Sequence, residues 1–163
     1  ADFDRDGDLD SLVGNTHTRL NAEQREALPL GVAIWRNDLA NRSGNRFVSL
    51  SLRGRGWRDE GANRQGIGAR VIVTIGDRTI IREVSGGNGH VGRQHDPRLV
   101  IGLGQAERID RLEVRWGGAG QTVDVHTQVP VNSFFAVHEG ATALQADRPR
   151  VTVLPADSRA PQR

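Results

Sequence analysis

The chain contains no cysteine and no methionine, and every one of its 22 basic residues is arginine. Without cysteine there is no disulfide scaffold, no zinc–thiolate site and no thiol nucleophile, while the redox compartment is left undetermined. Without lysine there is no P-loop lysine, no Schiff base and no lysine general base. No apolar run approaches the roughly 18 residues that span a bilayer, and no basic-then-apolar leader is present. Net positive charge is also scarce: 22 cations face 20 acids, for a formal charge of +2. The pI near 10.7 reflects the high pKa of arginine rather than a strongly cationic surface. A phosphate-tracking nucleic-acid partner would need a larger excess.

What is present is a globular composition of one-domain length: 163 residues, 36% hydrophobic, with 20 Gly and 6 Pro. The charge is unevenly placed. Residues 1–10 hold five Asp and one Arg, a local net of −4 that leaves +6 for the rest. A first residue lying directly against this motif, with no initiator Met, leads us to expect a longer chain upstream. Residues 21–28 can form two turns of helix; the remainder reads as short strands punctuated by Gly and Asp, predicting an all-β, sandwich-like fold. The clearest element is a hairpin over Arg70–Val84, where Val71, Val73 and Ile75 alternate before a Gly76-Asp77 turn. In Ile109–Trp116, Leu112, Val114 and Trp116 share one face and Arg111, Glu113 and Arg115 the other. Weaker strands are predicted at 12–15, 32–37, 47–53, 99–102, 123–127 and 134–139, with polar loops at 53–68 and 85–97. The composition turns to Ala, Asp, Arg and Pro after Gly140, as in a loosely docked tail.

The strongest motif is Asp2-Phe3-Asp4-Arg5-Asp6-Gly7-Asp8-Leu9-Asp10. Alternate side chains of a tight loop point inward, and the glycine permits the reversal. Hard oxygens from Asp2, Asp4, Asp6 and Asp10, with the main-chain carbonyl of Asp8, can then converge on Ca²⁺. An EF-hand would carry a bidentate Glu where Val13 stands, so this is a different calcium loop. Four carboxylates this close repel one another without a cation, which couples metal binding to local folding. The bland alternative is a solvated acidic run.

Other candidates are weaker. Gly87–Gly92 fits G-x-G-x-x-G but lacks the following helix and βαβ context of a dinucleotide site. His90, His95 and Asp96 lie close in sequence and can form a metal or acid–base site, or simply face solvent. Trp57, flanked by Arg55 and Arg58, either stacks on a sugar ring or caps the sandwich. Trp35 and Trp116 read as core or rim residues, His17, His126 and His138 are unclustered, and Asn41-Arg42-Ser43 is a glycosylation acceptor pattern.

The acidic loop running into a strand resembles the calcium loop of FG-GAP (VCBS) repeats, and Trp35-Arg36-Asn37 is similar to the ending that follows such repeats. Downstream, Ile67-Gly68-Ala69-Arg70-Val71, Arg82-Glu83-Val84, Gly86-Gly87-Asn88-Gly89, Ile101-Gly102-Leu103-Gly104, Leu112–Trp116, Asn132 and Glu139-Gly140 together resemble the ASPIC/UnbV domain, found in the cartilage acidic protein family and bacterial relatives. The resemblance implies three parts: residues 1–44 as the end of a last propeller blade with its connector, 45–140 as an ASPIC/UnbV β-domain, and 141–163 as a tail. It implies an extracellular or periplasmic location; with the acidic loop, the expectation is a calcium-binding interaction or structural module and not an enzyme. Its partners would be proteins of an envelope or surface assembly, or upstream propeller blades, with no nucleic acid and no transmembrane segment. The alternative is a carbohydrate-binding module, with Trp57, Arg55, Arg58 and His90 as ligand-binding residues and glycans as partners.

Overall fold

The computed structural model describes residues 2–14, 21–27, 31–87 and 96–147, apart from the side chains of residues 40 and 41. His17, His90, His95, the loop centre at 88–95 and the tail from 148 lie outside these described residues. The fold is all-β. Among the described residues, ten strands, β1 (Ser11–Gly14), β2 (Val32–Trp35), β3 (Arg46–Arg53), β4 (Arg70–Ile75), β5 (Arg78–Glu83), β6 (Leu99–Gly104), β7 (Arg108–Arg115), β8 (Val123–Pro130), β9 (Ser133–His138) and β10 (Gln145–Ala146), accompany two short α-helices, α1 (Ala22–Ala27) and α2 (Leu39–Ser43).

The predicted hairpin is present: β4 and β5 pair from Arg70↔Glu83 to Ile75↔Arg78 around a Gly76 with φ of +54°. β4 also pairs with β7, and β7 with β8, giving a four-stranded antiparallel sheet in the order β5-β4-β7-β8. Alternation places Val71, Val73, Leu112 and Val114 in the core and leaves Arg111 and Arg115 outside. Glu113 sits between those two arginines, which donate to it from 2.5 and 2.6 Å and hold its carboxyl below the ordinary range.

The second sheet, in the order β10-β9-β3-β6, is mixed: β3 runs parallel to β9, from Val48↔Ser133 to Arg53↔His138, and antiparallel to β6. Val48, Leu50, Leu52, Ile101, Leu103 and Val137 of this sheet meet Val71, Val73, Ile109, Leu112, Val114 and Val129 of the first in one continuous core. Six successive residues of β3, Phe47–Leu52, are buried, so both faces of this strand are covered. Val48, Leu50 and Leu52 take the core face, leaving Phe47, Ser49 and Ser51 for the opposite one. There Phe47 meets the Phe134 ring edge-on at 5.4 Å.

β1 and β2 form a separate two-stranded ribbon, paired from Ser11↔Trp35 to Gly14↔Val32. Its apolar residues Leu12, Val13, Val32 and Ile34 are exposed, and Trp35, expected in the core or at its rim, is 68% exposed. A two-stranded ribbon has no interior in which to place an indole. Trp116 is buried, as predicted, and Asn41-Arg42-Ser43 falls within α2. No helix of the described residues is long and apolar enough to cross a membrane.

Candidate functional site

The acidic loop lies against the outer face of the second sheet. Gly7, at φ of +99°, sits so close to the Phe47 ring that a Cβ would overlap it. Glycine is therefore required twice, for the reversal and for the approach. Gly7→Ala is expected to cost about 2–3 kcal/mol through overlap and left-handed strain, measured by denaturant unfolding. Phe47→Leu should recover part of that loss in the double variant; additive losses would refute the contact.

Asp10 anchors the loop. Its Oδ2 accepts the Phe3 N–H at 2.7 Å and its Oδ1 the Asn37 N–H at 2.9 Å, tying the motif to the segment after β2. Burial raises the Asp10 pKa, but the donors from Asn37, Phe3 and Asp4 outweigh it and hold the carboxyl below the ordinary range. Asp4 Oδ1 accepts from Asp6 N–H at 3.4 Å and Asp6 Oδ1 from Asp8 N–H at 3.2 Å, the Asx turns that shape the loop.

Asp2 behaves differently. Both its carboxylate oxygens are shielded from solvent, and neither closes a hydrogen bond of full geometry, although the Arg5 and Gly7 N–H groups point toward the carboxylate. Burial pushes its pKa up, against those two N–H groups, and the Asp6 and Asp4 charges push it further. Asp4 is raised by burial and then by Asp6, with the Arg36 guanidinium 3.6 Å away as partial relief.

Asp2, Asp4 and Asp10 each offer an oxygen within 4.8 Å of the others, and Asp4, Asp6 and Asp38 form a second such triad. Two oxygens on one Ca²⁺ lie at most about 5 Å apart, so either triad has the spacing for a single hard ion, and the enclosed Asp2 oxygens favour the first. Of the predicted side-chain donors, Asp2, Asp4 and Asp10 converge and Asp6 lies with Asp4 and Asp38, while Asp8, expected to offer its main-chain carbonyl, joins neither side-chain triad. Sequence reasoning missed Asp38. Its only local signal is its place directly after Trp35-Arg36-Asn37.

A second site forms at the opposite end of β3. Arg55, Gly56, Trp57, Arg58, Asn63 and Arg64 line a cleft of about 390 Å³. The loop is built on Glu139, whose buried Oε2 accepts the N–H groups of Arg55 at 3.0 Å and Ala62 at 2.8 Å. Gly56 N–H to the Ala62 carbonyl, 2.9 Å, and Gly61 N–H to the Gly56 carbonyl, 3.1 Å, close the turn. Residues 57–59 form one 3₁₀ turn between them. Trp57 does not cap the sandwich: it is 80% exposed, with the Arg58 guanidinium 5.4 Å from its ring centroid. The structure brings Trp57, Arg55 and Arg58 together and adds Asn63 and Arg64; His90 lies outside the described residues.

The ASPIC and UnbV family model matches residues 59–144. The chain belongs to the ASPIC and UnbV family. No curated protein matches the chain. The ASPIC/UnbV match takes in β4–β9 but not β3, although β3 is paired between β6 and β9 in the second sheet. The acidic loop also lies outside it. The ASPIC/UnbV motif residues act as fasteners: Asn132, at φ of +51°, accepts the Phe47 N–H on its Oδ1 and donates its own N–H to the Phe47 carbonyl at 2.6 Å. Glu139 holds the cleft loop, and the Gly140 N–H donates to Asp124.

Proposed function

We propose that the protein is a calcium-binding interaction or structural module of the extracellular space or bacterial periplasm, and not an enzyme. The observation that carries this reading is the Asp2 carboxylate, enclosed without a full hydrogen bond beside Asp4 and Asp10. A buried carboxylate without a partner is costly, and a hard cation removes the cost. Asp2, Asp4 and Asp10 would hold the ion by side-chain oxygen and Asp8 by its main-chain carbonyl, with Asp6 shaping the loop. Calcium would supply charge neutralisation there. Its consequence is mechanical: the loop joins the β1–β2 ribbon to the sandwich through Gly7 on Phe47, so a bound ion stiffens that junction.

The resemblance of this loop to FG-GAP repeats, and of the whole arrangement to the cartilage acidic protein family and its bacterial relatives, supports the location and extends the reading. The exposed apolar residues of the β1–β2 ribbon suit packing against upstream propeller strands. Partners are then proteins of an envelope or surface assembly.

Thermal unfolding in about 1 mM CaCl₂ against EDTA tests this reading. An ion at roughly ten times its dissociation constant adds about 1.4 kcal/mol, raising Tm by about 3–5 °C. Asp4→Ala/Asp6→Ala should abolish the gain. Identical transitions with and without calcium would refute the reading.

A second reading, a carbohydrate-binding module, is favoured by one observation: Trp57 stands exposed on a loop whose backbone is fastened underneath it. Indole faces of this kind stack on sugar rings.

A further inference from the structure

We propose that the Arg55–Arg64 cleft takes a carboxylate-bearing glycan, a chain containing hexuronate residues, stacked on Trp57 and held by Arg58 and Arg64. This rests on the carbohydrate-binding reading and names its ligand class.

The charge of the cleft is the first argument. Three of its six lining residues are arginine and none is acidic, in a chain whose cations and anions nearly balance. Asp59 and Glu60 adjoin the cleft in sequence but do not line it. Arg55 lines the cleft too, but its guanidinium is partly engaged, 3.7 Å from Glu139 and 3.4 Å from the Thr122 hydroxyl. Arg58 and Arg64 are exposed and make no ion pair with any described residue. Their guanidinium forks are the chemistry that pairs bidentately with carboxylates.

Shape is the second. The Arg58 guanidinium covers one face of the Trp57 indole, leaving the other for the flat C–H face of a pyranose ring. A neutral sugar would leave two guanidinium groups facing hydroxyls alone, and an acidic peptide would leave the indole face unused. A hexuronate meets both demands. Asn63 supports the wall and is no ligand: its Nδ2 donates to the Ile67 carbonyl and its Oδ1 accepts the Ile67 N–H. Because Glu139 and the Gly56–Ala62 bonds hold the loop before any ligand arrives, little ordering cost opposes binding.

Calorimetric titration of the chain with a hyaluronan oligosaccharide, which alternates glucuronate and N-acetylhexosamine, tests the proposal against a chitin oligosaccharide of equal length. Hyaluronan should bind, more weakly as salt rises. Arg58→Ala/Arg64→Ala and Trp57→Ala should each weaken it by about tenfold or more, with Tm unchanged because all three side chains are exposed. Arg58→Lys/Arg64→Lys should recover only part of the loss. Equal affinity for chitin would overturn the acidic specificity and leave the carbohydrate reading standing. Binding of neither sugar would overturn both. Equal binding of polyglutamate, insensitive to Trp57→Ala, would assign the cleft to acidic peptides and overturn the proposal.

Discussion

Replacing Glu139 with alanine is expected to destabilise the protein by about 3–5 kcal/mol, because two enclosed N–H groups lose their acceptor together. The Glu139 side chain is 1% exposed and reaches 84 residues back along the chain to Arg55 and 77 to Ala62. The backbone is pressed against the carboxylate: a Cβ on Gly61 would stand 2.7 Å from the same Oε2. Glu139→Gln keeps an acceptor oxygen but loses the charge facing Arg55, and should cost about 1–2 kcal/mol. Denaturant unfolding measures both, and hydrogen exchange at the Arg55 and Ala62 amides reports where the loss falls. Unchanged protection of those two amides in Glu139→Ala would refute the fastening role.

The same carboxyl makes a pH prediction. Burial raises its pKa, but the N–H groups of Arg55 and Ala62, the Thr122 hydroxyl and the Arg55 charge together draw it below the ordinary 4.5. A depressed folded pKa contributes stability that is complete above the unfolded value and is lost as pH falls through the folded one. Wild-type stability should therefore decline below about pH 4.5 more steeply than that of Glu139→Gln.

Trp116 is the second position of large expected effect. Its indole is 5% exposed, its N–H donates to Asp124 Oδ2 at 2.7 Å, and the same oxygen accepts the Gly140 N–H at 2.8 Å. Trp116→Phe should cost about 2 kcal/mol, largely the charge-assisted bond. Trp116→Ala should cost about 4–5 kcal/mol as a cavity is added beneath the cleft loop, where the ring lies under Gly66. Trp35→Phe, on the exposed ribbon, should change stability by less than about 0.5 kcal/mol. Equal losses at Trp35 and Trp116 in urea unfolding would contradict the burial assignment.

Features written in consecutive residues are legible in the amino-acid order alone. The hairpin over 70–84 follows from alternation interrupted by Gly76-Asp77, and the split of β7 into Leu112/Val114 and Arg111/Arg115 follows from its period of two. The acidic loop is legible for the same reason, since its spacing and Gly7 are local. Its division is not: Asp38 enters from beyond β2, and Asp10 is drawn into anchoring Phe3 and Asn37.

The sequence by itself therefore determined the all-β character, most strand positions and the presence of a carboxylate-rich loop, because each depends on side-chain order within a few residues; β10, in the stretch expected to be a loose tail, was set by its pairing with β9. Only the tertiary structure decided the parallel pairing of β3 with β9, the seat of Gly7 on Phe47 and the reach of Glu139 to the cleft loop. It also decided which tryptophan is buried. Three indoles in similar polar and apolar company differ only in what lies opposite them, and that is set by chain segments tens of residues away.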